Sequence, residues 1–210
     1  MVIDAGNGMG GIETELLLEN FPEIHFTSLY TQPDGNFPHH EANPAKHDTL
    51  KDLQQTVVSV GADFGVAFDG DADRVGVVDE RGRPVPSDLV GALIAMQLLT
   101  KHPEATIIYD PRSSKVVPEV ISERGGTPLQ WKVGHSKIRS KMREIDAVMG
   151  IELSGHFFFK ETFYSEGGVL PALLLLELLQ ASGEPLSRHV AAVSRYVHSG
   201  EINSEVDRAP

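Results

Sequence analysis

The stretch Asp63-Phe-Gly-Val-Ala-Phe-Asp-Gly-Asp-Ala-Asp-Arg-Val-Gly-Val-Val-Asp79 decides how this chain is read. Its flanks, FGVAF and VGVV, are short, apolar and rich in β-formers, so Asp63–Phe68 and Val75–Asp79 read as strands. Between them stand Asp69, Asp71 and Asp73, with Arg74 directly after. Alternate residues of an extended segment project to one side, and Gly70 and Ala72 leave little bulk between the acids. Two carboxylates about 5 Å apart repel by roughly 3 kcal/mol at an effective dielectric of 20, and by under ~1 kcal/mol in water. An enclosed loop therefore needs a proton or a cation, and a divalent ion suits three acids best. An open loop is a solvated acidic turn. Hard oxygen donors in a chain without cysteine favour Mg2+, or Mn2+, over Zn2+. The same D-x-D-x-D opens an EF-hand, but Arg74 stands where that loop requires glycine, and the flanks are strands rather than helices. Three protein carboxylates leave coordination positions for a phosphate, and Arg74 is a natural second anchor for a phosphoryl group.

Outward from this hairpin, short apolar runs alternate with amphipathic stretches, which is the α/β pattern. Val2–Asp4 reads as a strand, followed through GNGMGG by a helix with Ile12, Leu16, Leu17 and Phe21 on its buried face. A strand around Ile24–Tyr30, a polar loop over residues 31–47 and a helix from about Asp48, capped by Gly61, lead to the aspartates. After the turn ERGRP a second round begins with a helix near Asp88–Thr100, strand Thr106–Tyr109, a helix near Lys115–Arg124 and strand Thr127–Trp131. A helix from Ser136, strand Ala147–Ile151, a long loop to Gly168 and helices around Leu170–Ala181 and Leu186–Arg195 complete it. The expectation is two small α/β domains of similar β-α-β-α-β pattern, divided near Arg83–Ser87.

Composition narrows the partners. With 30 Asp+Glu against 18 Lys+Arg, a formal charge of −12, the chain lacks the basic footprint of a nucleic-acid or anionic-membrane surface. The absence of cysteine excludes disulfides and fits a reducing compartment. The longest apolar run, Val169 to Leu179, holds Pro171 and Glu177 and falls short of the ~20 residues of a membrane span. No signal-peptide pattern opens the sequence, so it reads as soluble and cytoplasmic. Both ends read as cuts, because Val2-Ile3 has no lead-in and EINSEVDRAP trails off polar.

Gly6-x-Gly8-x-x-Gly11 satisfies the dinucleotide fingerprint, after a strand and before a helix. The acid that should end the second strand is misplaced, since SLYTQPD carries Asp34 only out in the loop. The glycines therefore read as a tight structural turn, with a dinucleotide-binding oxidoreductase as the lesser alternative.

Five motifs in order carry a resemblance: PDGNFPHHEANP, DGDADR, WKVGHS (Trp131–Ser136), IELSGHFFFKE and SGEINSEV. Together they resemble the α-D-phosphohexomutase superfamily, nearest its phosphomannomutase/phosphoglucomutase branch. DGDADR is similar to its metal loop, WKVGHS to its histidine loop, IELSGHFFFKE to its sugar loop and SGEINSEV to the end of its third domain. That family has four domains and uses a phosphoserine in the first and a phosphate-binding loop in the fourth. Neither a TASHNP-like nor an RxSNTEP-like motif occurs here. The resemblance thus implies two small mixed-sheet α/β domains, family domains 2 and 3, over residues 1–84 and 85–200, with 201–210 a linker toward a further C-terminal domain.

Carried over residue by residue, the resemblance implies that Asp69, Asp71 and Asp73 hold Mg2+ and that Arg74 stabilises the transferring phosphoryl group. It implies acid/base work for His135, whose ordinary pKa of about 6.5 suits proton transfer. Arg112, Gly134, Glu152, Ser154 and His156 would contact a hexose phosphate. Two departures stand out: Ile151 replaces the usual glycine before the glutamate, and SEGGV replaces a more acidic, longer stretch, leaving Glu166 a poor candidate for a role. Without the serine and the phosphate loop, the chain is expected to be inactive alone in interconverting hexose 1- and 6-phosphates. A non-catalytic Mg2+- and sugar-phosphate-binding module is the competing reading.

Overall fold

The computed structural model describes residues 1–197. In the first half, strands β1 (Val2–Asp4), β2 (Thr27–Leu29), β3 (Phe64–Phe68), β4 (Val75–Asp79) and β5 (Pro84–Val85) form one sheet in the order β2-β1-β3-β4-β5. In the second half, β6 (Thr106–Tyr109), β7 (Thr127–Gln130), β8 (Met149–Ile151), β9 (Phe157–Phe159) and β10 (Ser165–Glu166) form another in the order β10-β9-β8-β6-β7. The two sheets have the same topology. In each, the first strand pairs in parallel with the second and third, and the fourth and fifth are added antiparallel. The repeat expected from the pattern is a repeat of connectivity.

Helices are α1 (Gly10–Asn20), α2 (Lys51–Val60), α3 (Ser87–Lys101), α4 (Val116–Glu123), α5 (His135–Ile145), α6 (Val169–Ser182) and α7 (Leu186–Val193). Strand alternation sorts the core into layers. Ile3, Phe64, Val66 and Phe68 face the same apolar cluster as Ile107, Phe157 and Phe159 of the second sheet. On the opposite faces, Val2 and Ala67 pack with Leu53 and Val57 of α2, while Ile108 and Phe158 pack with Ile138 and Met142 of α5. Helix α3 touches both β4 and β8, and every residue from Asp88 to Ala95 is buried. A helix apolar on all sides belongs in an interior, and each of its fully buried Leu, Val or Ile side chains contributes about 1.5–3 kcal/mol relative to exposure.

Gly61 ends α2 in the left-handed conformation, its N–H bonding the carbonyls of Val57 and Val58, as its position implies. Three expectations need correction. Helix α1 does not bury Ile12 and Leu16, which are 46% and 54% exposed; its inward face is Gly10, Gly11, Thr14 and Leu17. The helix approaches so closely that a Cβ at Gly11 would lie 1.8 Å from the Thr31 carbonyl oxygen, and this contact turns the larger side chains outward. The long loop before Gly168 contains β9 and β10, whose antiparallel pairing extends the sheet beyond β8. The strand expected over residues 24–30 is confined to Thr27–Leu29. The SGEINSEV motif and the 201–210 linker lie outside the described residues. Among the described residues no single helix is long and apolar enough to cross a membrane.

Candidate functional site

Residues 69–74 close the hairpin between β3 and β4. Asp69 is 1% exposed, and its carboxylate is fixed by Arg74, whose backbone N–H donates to Oδ1 (3.0 Å) and whose Nε donates to Oδ2 (2.6 Å). Ala72 takes the left-handed conformation (φ +64°), bending the chain between Asp71 and Asp73. One carboxylate oxygen from each of Asp69, Asp71 and Asp73 lies within 4.8 Å of the other two. Burial pushes the Asp73 carboxyl up, and Asp69 and Asp71 push it further, against the opposing pull of His156 and Arg74. Three converging hard-oxygen donors, whose mutual repulsion Arg74 and His156 offset only in part, fit a divalent cation such as magnesium.

The loop is also held by its backbone. Gly70 O accepts from Met9 N–H (3.0 Å), Ala72 O from Gly168 N–H (3.1 Å), and Val75 N–H donates to Gly155 O (3.1 Å). The residue 31–47 loop is tied to the end of β1 through His40 Nε2 and the buried Asp4 carboxylate (3.0 Å). Of the fingerprint glycines, Gly8 abuts the hairpin itself: a Cβ there would lie 2.7 Å from Gly70 O. That space is filled by the protein's own backbone, as expected of a structural turn.

Residues 152–156 close the equivalent hairpin between β8 and β9. Glu152, 2% exposed, accepts the Gly134 N–H at Oε1 (2.8 Å), and its Oε2 lies 3.2 Å from His156 Nδ1. Ser154 Oγ is 3.0 Å from the same nitrogen, and His156 Nε2 is 3.2 Å from Asp73 Oδ1. Burial pushes the His156 imidazole down, but Glu152 and Asp73 outweigh it and hold its pKa above the ordinary value. For Glu152, burial pushes upward, and the His156 and Gly134 hydrogen bonds overcome it, keeping the carboxyl low. Both Glu152 oxygens are therefore engaged within the protein, whereas Ser154 is only partly buried.

The two hairpins are counterparts. Each opens on a buried acid, Asp69 or Glu152, whose N–H bonds the carbonyl of the residue that closes the loop, Arg74 or His156. Those closing residues pair with one another in an antiparallel bridge. The structure thus brings Asp69, Asp71, Asp73, Arg74, Glu152, Ser154, His156 and Gly134 into one continuous set of contacts.

His135 and Arg112 join this set indirectly. His135 is the first residue of α5, its side chain 60% exposed, with Nδ1 3.1 Å from Glu166 Oε1. Glu166 Oε2 also lies 3.4 Å from Arg139 Nη1. Burial would raise the Glu166 carboxyl, but His135, its own backbone N–H and Arg139 hold it below the usual range. Glu166, set aside on sequence, is therefore the partner that orients His135. Arg112 is anchored to the buried Asp110, Nη2 at 2.5 Å and Nε at 2.9 Å from Oδ2, and the same oxygen accepts the Leu153 N–H (3.2 Å). Asp110 was missed; a strand-ending aspartate before Pro-Arg-Ser-Ser, in the form of a side chain-to-backbone turn, was the available signal.

Profiles of the phosphoglucomutase/phosphomannomutase α/β/α domains II and III match residues 1–82 and 86–196. A phosphomannomutase from Methanocaldococcus jannaschii is 41% identical over 207 residues, covering 98% of this chain and 46% of that protein. The crystal structure of a phosphoglucomutase/phosphomannomutase family protein from Burkholderia thailandensis superposes with a TM-score of 0.87 at 36% identity, covering 93% of this chain and 43% of the other. An N-acetylphosphoglucosamine mutase from Aspergillus fumigatus, solved with GlcNAc-6P and magnesium, shares the fold (TM-score 0.68, 15% identity, 91% of this chain and 48% of that one). The chain spans about half the length of the relatives it matches. Two consecutive domain profiles, matched in order over almost the whole sequence, and the same two-sheet architecture establish that this chain belongs to the phosphoglucomutase/phosphomannomutase family.

Proposed function

We propose that this chain is the metal- and sugar-binding portion of a phosphohexomutase that interconverts hexose 1-phosphate and 6-phosphate, of mannose, glucose or both, through a phosphoserine and a bisphosphorylated sugar. The observation that carries the reading is the 3.2 Å approach of Asp73 to His156, which joins the three-carboxylate loop to the sugar loop. Residues 1–84 form the metal-binding domain and 85–200 the sugar-binding domain in this reading. The serine nucleophile and a C-terminal phosphate loop come from the rest of the parent protein. An acidic, cysteine-free chain acting on sugar phosphates fits the cytoplasm.

Asp69, Asp71 and Asp73 would hold Mg2+, with Mn2+ able to replace it. When bound, the ion supplies Lewis-acid polarisation of the transferring phosphoryl group. Arg74, its Nε engaged by Asp69, would have its Nη donors left to stabilise that group. His135 exchanges a proton with a sugar hydroxyl at Nε2, because Nδ1 faces Glu166. Ser154 and Arg112 bind the sugar, and Glu152 acts largely through Gly134 and His156, whose positions it fixes.

The test is a coupled mutase assay with glucose 1-phosphate and mannose 1-phosphate. The 210-residue chain alone is expected to give no turnover, and the intact parent, or the chain supplied with its missing segments in trans, is expected to be active. Turnover by the chain alone overturns the reading. An inactive parent that still binds Mg2+ and a hexose phosphate replaces it with the non-catalytic binding module.

A further inference from the structure

The carbonyls of Gly70 and Ala72, the two residues that separate the three aspartates, are pinned by different halves of the chain. Met9 holds the first from the metal-loop half of the chain, and Gly168 holds the second from the other half. Gly168 precedes α6 with ordinary right-handed backbone angles (φ −80°, ψ −23°), which any residue adopts. Space is what requires glycine. A Cβ at Gly168 would lie 2.6 Å from Cδ1 and Cε1 of Phe68 and 3.3 Å from Arg74 O. Phe68 is the residue before Asp69, and Arg74 is the residue after Asp73. Bulk at position 168 therefore presses on both ends of the loop whose middle its N–H holds. A Cβ at the adjacent Gly167 would meet nothing within 4 Å, so the constraint belongs to Gly168 alone.

We propose that Gly168 is a positioning residue of the cation site, so that the sugar-binding half of the chain sets the metal affinity of the other half. The inference rests on Asp69, Asp71 and Asp73 being the ligands. Ordinary contact begins at 3.4 Å, so a methyl at 168 demands a retreat of about 0.8 Å, either by the Phe68 ring or by α6. The ring is fully buried in the central cluster and cannot swing aside cheaply. Retreat of α6 lengthens the bond to Ala72 O. Either displacement exceeds the ~0.5 Å tolerance of a preorganised site, and magnesium requires near-ideal octahedral geometry.

The experiment is a Mn2+ titration of the 210-residue chain, with free Mn2+ followed by electron paramagnetic resonance and folding by circular dichroism. Gly168→Ala is expected to weaken Mn2+ binding at least tenfold while remaining folded, since its right-handed backbone angles suit alanine and the exchange at this helix-capping position costs little by itself. Gly167→Ala should bind within twofold of wild type. Gly168→Ala/Phe68→Leu, which makes room for the methyl, should regain most of the lost affinity, and it carries the test if Gly168→Ala alone does not fold. Wild-type affinity in folded Gly168→Ala, or no recovery in the double variant, overturns the proposal. Absence of Mn2+ binding in the wild type instead removes the ligand assignment beneath it.

Discussion

His156 Nε2 lies 3.2 Å from Asp73 Oδ1, where the closing turns of two topologically equivalent hairpins meet. The imidazole therefore stands between two carboxylates of different halves of the chain, Asp73 on one side and Glu152 on the other. Its contacts leave Asp71 as the member of the triad free of protein duties: among the described residues Asp71 has no hydrogen-bond or ion-pair partner.

Asp71→Asn should accordingly remove a ligand without removing a structural contact. Mn2+ affinity is expected to fall at least tenfold, about 1.4 kcal/mol. The melting temperature should hold or rise slightly as like-charge repulsion is relieved. In the intact parent, turnover should be lost. Retained Mn2+ affinity would place the ion elsewhere.

Glu152→Gln replaces a buried acceptor pair by one acceptor and one donor. Either the Gly134 N–H meets an NH2 group, or the His156 ring must accept from one and lose its carboxylate partner, and the change should cost about 1–3 kcal/mol in urea unfolding. A loss within experimental error would show that Glu152 is not fixing these two groups.

Glu80 caps α7 across the two halves, accepting the Ser187 N–H at 3.0 Å and the Ser187 hydroxyl in a short hydrogen bond. Burial pushes its carboxyl up, but Ser187 and Arg81 prevail and hold it below the ordinary value of 4.5. A depressed carboxyl stabilises the fold above its unfolded pKa, and that contribution is lost as the pH falls through the folded value. Glu80→Gln should therefore cost about 1 kcal/mol at pH 7, as loss of a cap does. The difference from wild type should shrink as the pH is lowered past 4.5. Thermal melts of both proteins at neutral and acid pH check the sign.

The inverted face of α1 has its own test. Ile12→Lys and Leu16→Lys should leave stability within about 0.5 kcal/mol. Leu17→Ala, one residue further on and buried, should cost roughly 2–5 kcal/mol. Chemical denaturation of the three variants decides which side chains the helix buries.

What was legible in the sequence was local. The apolar runs on either side of Asp69–Arg74 place β3 and β4 because flanking composition and turn chemistry agree, and Gly61 marks the end of α2 for the same reason. The α1 face was not legible, because hydrophobic periodicity weighs Ile12 and Leu16 above the glycines that make the close approach. Strands β9 and β10 were hidden by their brevity: β9 is three phenylalanines with no room for an alternating pattern, and β10 is two polar residues. Glu166 was hidden by distance, and so was the role of Asp110 across the fold, although its local turn to Arg112 and Ser113 was legible. Their partners His135 and Leu153 lie 31 and 43 residues away, and contacts of that range leave no periodic trace.

The apolar cluster that Ile3, Phe64 and Phe68 share with Ile107, Phe157 and Phe159 bears on whether the molecule can be divided. Cutting at Pro86 would strip each piece of the wall against which it packs and leave α3 wet along one flank. The halves are separate in connectivity yet interdependent in thermodynamics. A calorimeter should record a single cooperative melt.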